Sequence, residues 1–101
     1  MEAGEIRRYL LSICRQRKRL NRYGFSRRSR QLSDDFVFAL EKWLHAFPNA
    51  STKGVATFFL SNQDKIYYII PTPKQNTSLH RRFFEILEFS KEYLASQKST
   101  V

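Results

Sequence analysis

Residues 55–71, VATFFLSNQDKIYYIIP, are the part of this chain that predicts β-structure, and they therefore set the predicted fold class. Two short runs, Val55–Ser61 and Lys65–Pro71, are rich in the aromatic and β-branched side chains that favour strands. Between them lies Asn62-Gln63-Asp64, a polar segment typical of a tight connection. The pattern predicts an antiparallel, aromatic β-hairpin.

Both faces of this hairpin would be apolar. Successive strand residues point to opposite faces, so Phe58 and Phe59 must lie on different sides of the sheet. Because two strands alone make a poor sheet, we expect helices on one face and a second contact on the other. That contact could be the basic N-terminal region, a ligand or a second copy of the chain. The sequence thus raises the hypothesis of a homodimer formed through the 55–71 hairpin.

Two helices are predicted to flank the hairpin, over residues 34–47 and 79–97. Ser33 is a candidate N-cap for the first, and Asp34 and Asp35 would lie in its first turn, where the helix dipole favours acidic side chains. Apolar residues recur every three or four positions in both segments, as expected of amphipathic helices. These positions are Phe36, Val37, Leu40, Trp43, Leu44 and Phe47 in the first helix, and Leu79, Phe83, Ile86, Leu87, Tyr93 and Leu94 in the second.

A further amphipathic helix is predicted over residues 5–20. Arg17 falls on its apolar stripe near the helix end, where the aliphatic stem can pack while the guanidinium reaches water. Residues 21–31 follow as a basic loop, in which 25–31 could form an extra short helix. The apolar stripe of the helix consists of Ile6, Tyr9, Leu10, Ile13, Cys14 and Leu20.

These elements together predict a small α+β protein with the order α-α-β-β-α, in which helices pack on the hairpin. Its length of 101 residues suits a single domain over 1–101. The ends, 1–4 and 98–101, are expected to be frayed.

Positive charge is concentrated in the first 30 residues. They contain ten of the 18 Lys and Arg residues but only two of the nine acidic ones, which accounts for +8 of the net charge of +9. Nine of these ten bases are arginine, whose planar guanidinium binds phosphate through two parallel hydrogen bonds. Like charges four residues apart, as at Arg15 and Arg19, weaken an isolated helix, and an anionic partner would relieve that repulsion.

The sequence therefore predicts a small, basic, non-enzymatic protein that binds DNA or RNA, with a regulatory role, through phosphate contacts. Tyr23 and Phe25, on either side of Gly24, could stack on bases or pack on the core. The predicted phosphate-binding residues are Arg7, Arg8, Arg15, Lys18, Arg19, Arg22, Arg27, Arg28 and Arg30.

Two alternatives remain open. The same basic surface could dock on an acidic groove of a nucleic-acid enzyme, as an inhibitor or recruiter. His45 and His80 could act as acid and base in a small basic ribonuclease, although no spacing specifies that they meet. No metal site or cofactor is predicted, since Cys14 is the only cysteine. No apolar run approaches the roughly 20 residues of a membrane span, so we expect an intracellular protein, cytoplasmic or nuclear, with no membrane partner.

Overall fold

The structure, a computed structural model, is α-helical throughout the residues it describes. It describes the backbone of 1–21, 27–71 and 78–98 and the side chains of 1–19, 34–71 and 78–97. Within these ranges there is no strand, so the predicted α+β class and the order α-α-β-β-α are wrong. The five helices described are α1 (Ala3–Asn21), α2 (Arg27–Ala46), α3 (Thr52–Ser61), α4 (Gln63–Ile69) and α5 (Ser78–Lys98).

The predicted first strand is helix α3. Ser51 caps it, because its side-chain oxygen accepts a hydrogen bond of 3.1 Å from the backbone N–H of Gly54. Helical spacing then places Val55, Ala56 and Phe59 on one buried face. The period of a short apolar run does not show whether the run is a strand or a buried helix. In this segment the aromatic composition favoured a strand, whereas the structure has a helix.

The predicted turn at Asn62 is a junction between two helices. Its backbone N–H donates to the carbonyls of Phe58 and Phe59 at the end of α3. Its own carbonyl accepts from the N–H of Ile66 in α4, at 2.9 Å. One residue thus ends α3 and begins α4. Homodimerisation by strand pairing through 55–71 therefore lacks the strands it requires.

Helix α4 ends because of the proline that follows it. The residue before a proline is disfavoured in the α conformation, and Ile70 is accordingly extended, with φ −66° and ψ 124°. Ile66, Ile69 and Ile70 are all buried. The second predicted strand is therefore a short helix that contributes one apolar side to the core.

The predicted helices over 5–20 and 79–97 are confirmed as α1 and α5. Helix α2, however, begins at Arg27 rather than at residue 34. Ser33 is therefore not an N-cap, and Asp34 and Asp35 do not lie in the first turn. Residues 27–31 thus belong to α2 and not to a loop or a separate short helix, while residues 22–26 of the predicted basic loop 21–31 lie outside the described residues.

The terminal helices extend slightly further than predicted. Helix α1 begins at Ala3, within the segment 1–4, and α5 includes Lys98. Residues 99–101 lie outside the described part of the chain. The corrected boundaries lengthen both terminal helices by one or two residues at the outer end.

One apolar cluster holds the helices together. Helix α1 packs along α2, and α3 packs along α5, so that α4 closes the space between the two pairs. The Phe59 side chain is 0% exposed, and its ring centroid lies 5.3 Å from that of Phe83 on α5. Trp43 stacks on Phe58 with centroids 3.9 Å apart, which joins α2 to α3. Most residues of the stripes predicted for the three long helices are buried or partly buried, but Phe47 is exposed and Leu20 lies outside the described side chains.

Two ionisable groups of α1 lie in this core. The Tyr9 hydroxyl donates a 2.6 Å hydrogen bond to the Leu79 carbonyl of α5, and burial raises its pKa above the ordinary value. Burial likewise raises the pKa of the Cys14 thiol from 9.0 to about 12, with the charge of Glu41 adding to the effect. Both side chains are therefore kept protonated by the fold.

These two groups should make the protein lose stability in alkali. Above the ordinary thiol pKa of 9.0, the unfolded chain ionises Cys14, and then Tyr9, while the folded chain keeps both protons. Each group then lowers the free energy of unfolding by up to about 1.4 kcal/mol per pH unit. Urea titrations at rising pH measure this slope, and C14A should reduce it. An identical slope in wild type and C14A would contradict the assignment.

Candidate nucleic-acid interface

Three arginines define the face of α1 that points away from the core. At about 100° per residue, Arg8, Arg15 and Arg19 fall within roughly 40° of one another, opposite the stripe centred on Leu10 and Ile13. All three are exposed, whereas Leu10 and Ile13 are fully buried. Among the described residues none of the three forms an ion pair or a side-chain hydrogen bond. We call this set the α1 arginine face.

Arg7 was predicted to bind phosphate, but it has a partner within the protein. Its guanidinium donates to the carbonyls of Leu44 at 2.9 Å and Phe47 at 2.7 Å. Leu44 lies in the last turn of α2 and Phe47 directly follows the helix, where carbonyls lack helical partners and the helix dipole is negative. Arg7 therefore caps α2 and is engaged within the protein.

Lys18 also pairs within the protein. Its amine lies 2.6 Å from a carboxylate oxygen of Glu41 on α2. The pair is largely exposed, so we expect it to contribute well under 1 kcal/mol to stability. Its effect on the surface is larger, because Glu41 neutralises a cation predicted to contact phosphate.

Arg17 lies on the apolar stripe, as predicted, but it is more deeply buried than predicted. Its side chain is 5% exposed, and its guanidinium carbon lies 5.8 Å from the ring centroid of Tyr68 on α4. This distance is within the range of a cation–π contact. Burial lowers the pKa of the Arg17 guanidinium, and the nearby carboxylate of Asp34 opposes that shift. Arg17 therefore ties α1 to α4.

The remaining predicted residues lie around the connection between α1 and α2. Arg27, Arg28 and Arg30 are in the first turns of α2, on a backbone that is helical. Arg22, Tyr23 and Phe25 lie outside the described residues, so the base-stacking prediction for the two aromatic residues is not tested. Both α1 and α2 nevertheless contain arginines close to this connection.

The α1 arginine face is a linear array of charge. With a rise of 1.5 Å per residue, Arg8 and Arg15 are about 10 Å apart along the axis, and Arg15 and Arg19 about 6 Å. The acidic residue nearest to this face in α1, Glu5, is paired with Arg82 of α5 at 2.9 Å. The array therefore presents unpaired positive charge over about 16 Å.

The two histidines occupy different surroundings. His45 is exposed on α2, whereas His80 is half-buried on α5 with its ring 5.6 Å from that of Tyr67. Within the described side chains no three His, Cys, Asp or Glu residues converge as metal ligands would. The positions of His45 and His80 therefore provide no additional support for the ribonuclease alternative.

A cleft between α2 and α4 was not anticipated from the sequence. Its volume is about 550 Å³, within the range of small-molecule sites. Phe36, Tyr68 and Ile69 form apolar walls. Asp35, Asp64 and Lys65 also line it. The strand predicted over 65–71 would place Lys65 and Tyr68 on opposite faces, whereas in α4 both line the cleft.

Comparisons of the chain with models of protein families, with curated protein sequences and with solved structures found no significant match. Over the ranges that the structure covers, no helix is long and apolar enough to cross a membrane.

Proposed function

We propose that this protein is a non-enzymatic nucleic-acid-binding protein whose α1 arginine face contacts the phosphate backbone. The observation that carries the proposal is that Arg8, Arg15 and Arg19 are exposed, aligned and unpaired among the described residues. The arginines at the α1–α2 connection extend this contact: Arg22, Arg27, Arg28 and Arg30.

The arrangement is costly unless an anion is bound. Like charges four residues apart destabilise a helix by a few tenths of a kcal/mol per pair. Arg7 is engaged by carbonyls at the end of α2 and Lys18 is paired with Glu41, whereas the α1 arginine face has no such partner among the described residues. Guanidinium groups match phosphate geometry, and a row of phosphates would supply the missing counter-charge.

The salt dependence of binding tests the proposal and counts the contacts. On duplex DNA, log K should fall with log salt at a slope of about −3 if the three α1 arginines act alone. The slope should be about −6 if the four arginines at the connection contribute as well. Fluorescence anisotropy with labelled duplex DNA, duplex RNA and single strands measures both the slope and the preferred class.

The result that contradicts the proposal is equally clear. Absence of binding to every nucleic acid at about 50 mM salt, where such contacts are strong, excludes it. The α1 arginine face would then be assigned to an acidic protein partner. Cleavage of the RNA during the assay, lost in H45A or H80A, would instead support an enzyme.

A further inference from the structure

We infer that the cleft between α2 and α4 holds one unpaired guanine of a bound single strand. The inference rests on the proposed function, because the phosphate contacts would bring the strand to the cleft. The preference for a particular base would then come from the cleft, which is a different surface from the α1 arginine face. The argument uses the walls of the cleft, its polar groups and its position.

The walls suit a flat ring. Phe36 is half-buried and Tyr68 half-exposed, so each offers part of a ring surface to the cleft. The guanidinium of Arg17 lies on the Tyr68 ring and links it to α1. Proteins that bind single strands stack unpaired bases on such rings, at about 1–3 kcal/mol per base.

The polar groups distinguish among the bases. Aspartate carboxylates accept hydrogen bonds, and the lysine amine donates them. Among the described residues, Asp35 and Asp64 have no ion-pair partner. The Lys65 amine lies 6.0 Å from the Phe36 ring centroid, at the same cleft.

Guanine is the base that matches this set. Its Watson–Crick edge presents two adjacent donors, N1–H and the 2-amino group, which a carboxylate can accept together. Its O6 and N7 are acceptors that a lysine recognises. Adenine and cytosine place a ring acceptor beside their amino group, and uracil has one donor between two carbonyls, so a carboxylate meets repulsion on each of them.

The cleft also lies within reach of the basic segment. Asp35 is about 12 Å along α2 from Arg27, where the helix begins. Arg15 and Arg19 lie on the side of α1 opposite Arg17, so the strand would reach the cleft along α2 rather than directly from the α1 arginine face. A strand held at the start of α2 can therefore place a base in the cleft.

Short labelled oligouridines test the inference, one of them carrying a single central guanine. Wild-type protein should bind the guanine-containing strand about tenfold more tightly, as expected for one matched pair of hydrogen bonds. Replacing that guanine by inosine, which lacks the 2-amino group, should remove most of the preference. The D35N/D64N variant should bind both strands equally and no more weakly than wild type binds oligouridine.

The matched control is E88Q/E92Q, which removes the same charge from exposed positions on α5. It should keep the guanine preference. Equal binding of the two strands by wild type, a preference that persists in D35N/D64N, or an equal loss in both variants each overturns the cleft assignment and leaves the proposed function intact. Failure of every oligouridine to bind overturns the cleft assignment, whereas the proposed function fails only if duplex DNA and duplex RNA do not bind either.

Discussion

Replacing Arg8, Arg15 and Arg19 together by glutamate is expected to lower nucleic-acid affinity at least about 100-fold at 0.1 M salt. Each change removes a phosphate contact and places a negative charge where the phosphate would lie. The fold should survive, because all three side chains are exposed and have no partner among the described residues. We expect the free energy of unfolding to change by about 1 kcal/mol or less.

The control variant must show whether the loss of affinity depends on the position of the replaced charges or only on the change in net charge. Lys42, Lys53 and Lys91 are exposed on α2, α3 and α5, and replacing them by glutamate changes the net charge equally. This control should bind within about tenfold of wild type, since screening weakens distant charges at 0.1 M salt. An equal loss of affinity in both variants would mean that net charge, rather than the α1 arginine face, drives binding. Anisotropy titrations and circular dichroism provide the two readouts.

Replacing Phe59 by alanine is expected to destabilise the protein by about 3–5 kcal/mol. Phe59 is the largest fully buried side chain described, and its ring packs against that of Phe83. Domains of this size are stable by only about 5–15 kcal/mol. A large fraction of the total stability therefore depends on this one ring, and urea denaturation followed at 222 nm measures it.

Phe38 provides the matched control. It is 68% exposed on α2, so F38A removes the same atoms from a position in contact with water. We expect a change within about 0.5 kcal/mol. Comparable losses in F59A and F38A would contradict the packing described here, including the helical assignment of residues 52–61 that buries Phe59.

Much of the molecule could be derived from local pattern. The helices α1 and α5 follow from apolar residues that recur every three or four positions over 16 residues or more, a signal that short runs lack. The segregation of arginine into the first 30 residues is visible in the composition. When α1 is projected along its axis, Arg8, Arg15 and Arg19 fall opposite the apolar stripe. In the structure all three are exposed. These features depend only on near neighbours in the chain.

Contacts between residues far apart in the sequence determined which of the cations in α1 have a partner within the protein. Arg7 has the same side chain as Arg8, yet its guanidinium is engaged by carbonyls 37 and 40 residues away. Lys18 is neutralised by Glu41, 23 residues away. No helical period could predict either partner.

Residues 55–71 are a second case in which local sequence pattern did not predict the structure. Their aromatic and β-branched composition favours strands, and two strands would have left an apolar face exposed. Two short helices, α3 and α4, instead bury one stripe each against α1 and α5. The arginine array of α1 was therefore evident in the primary structure. The cleft between α2 and α4 exists only because burial of apolar area across the whole chain outweighed local strand propensity.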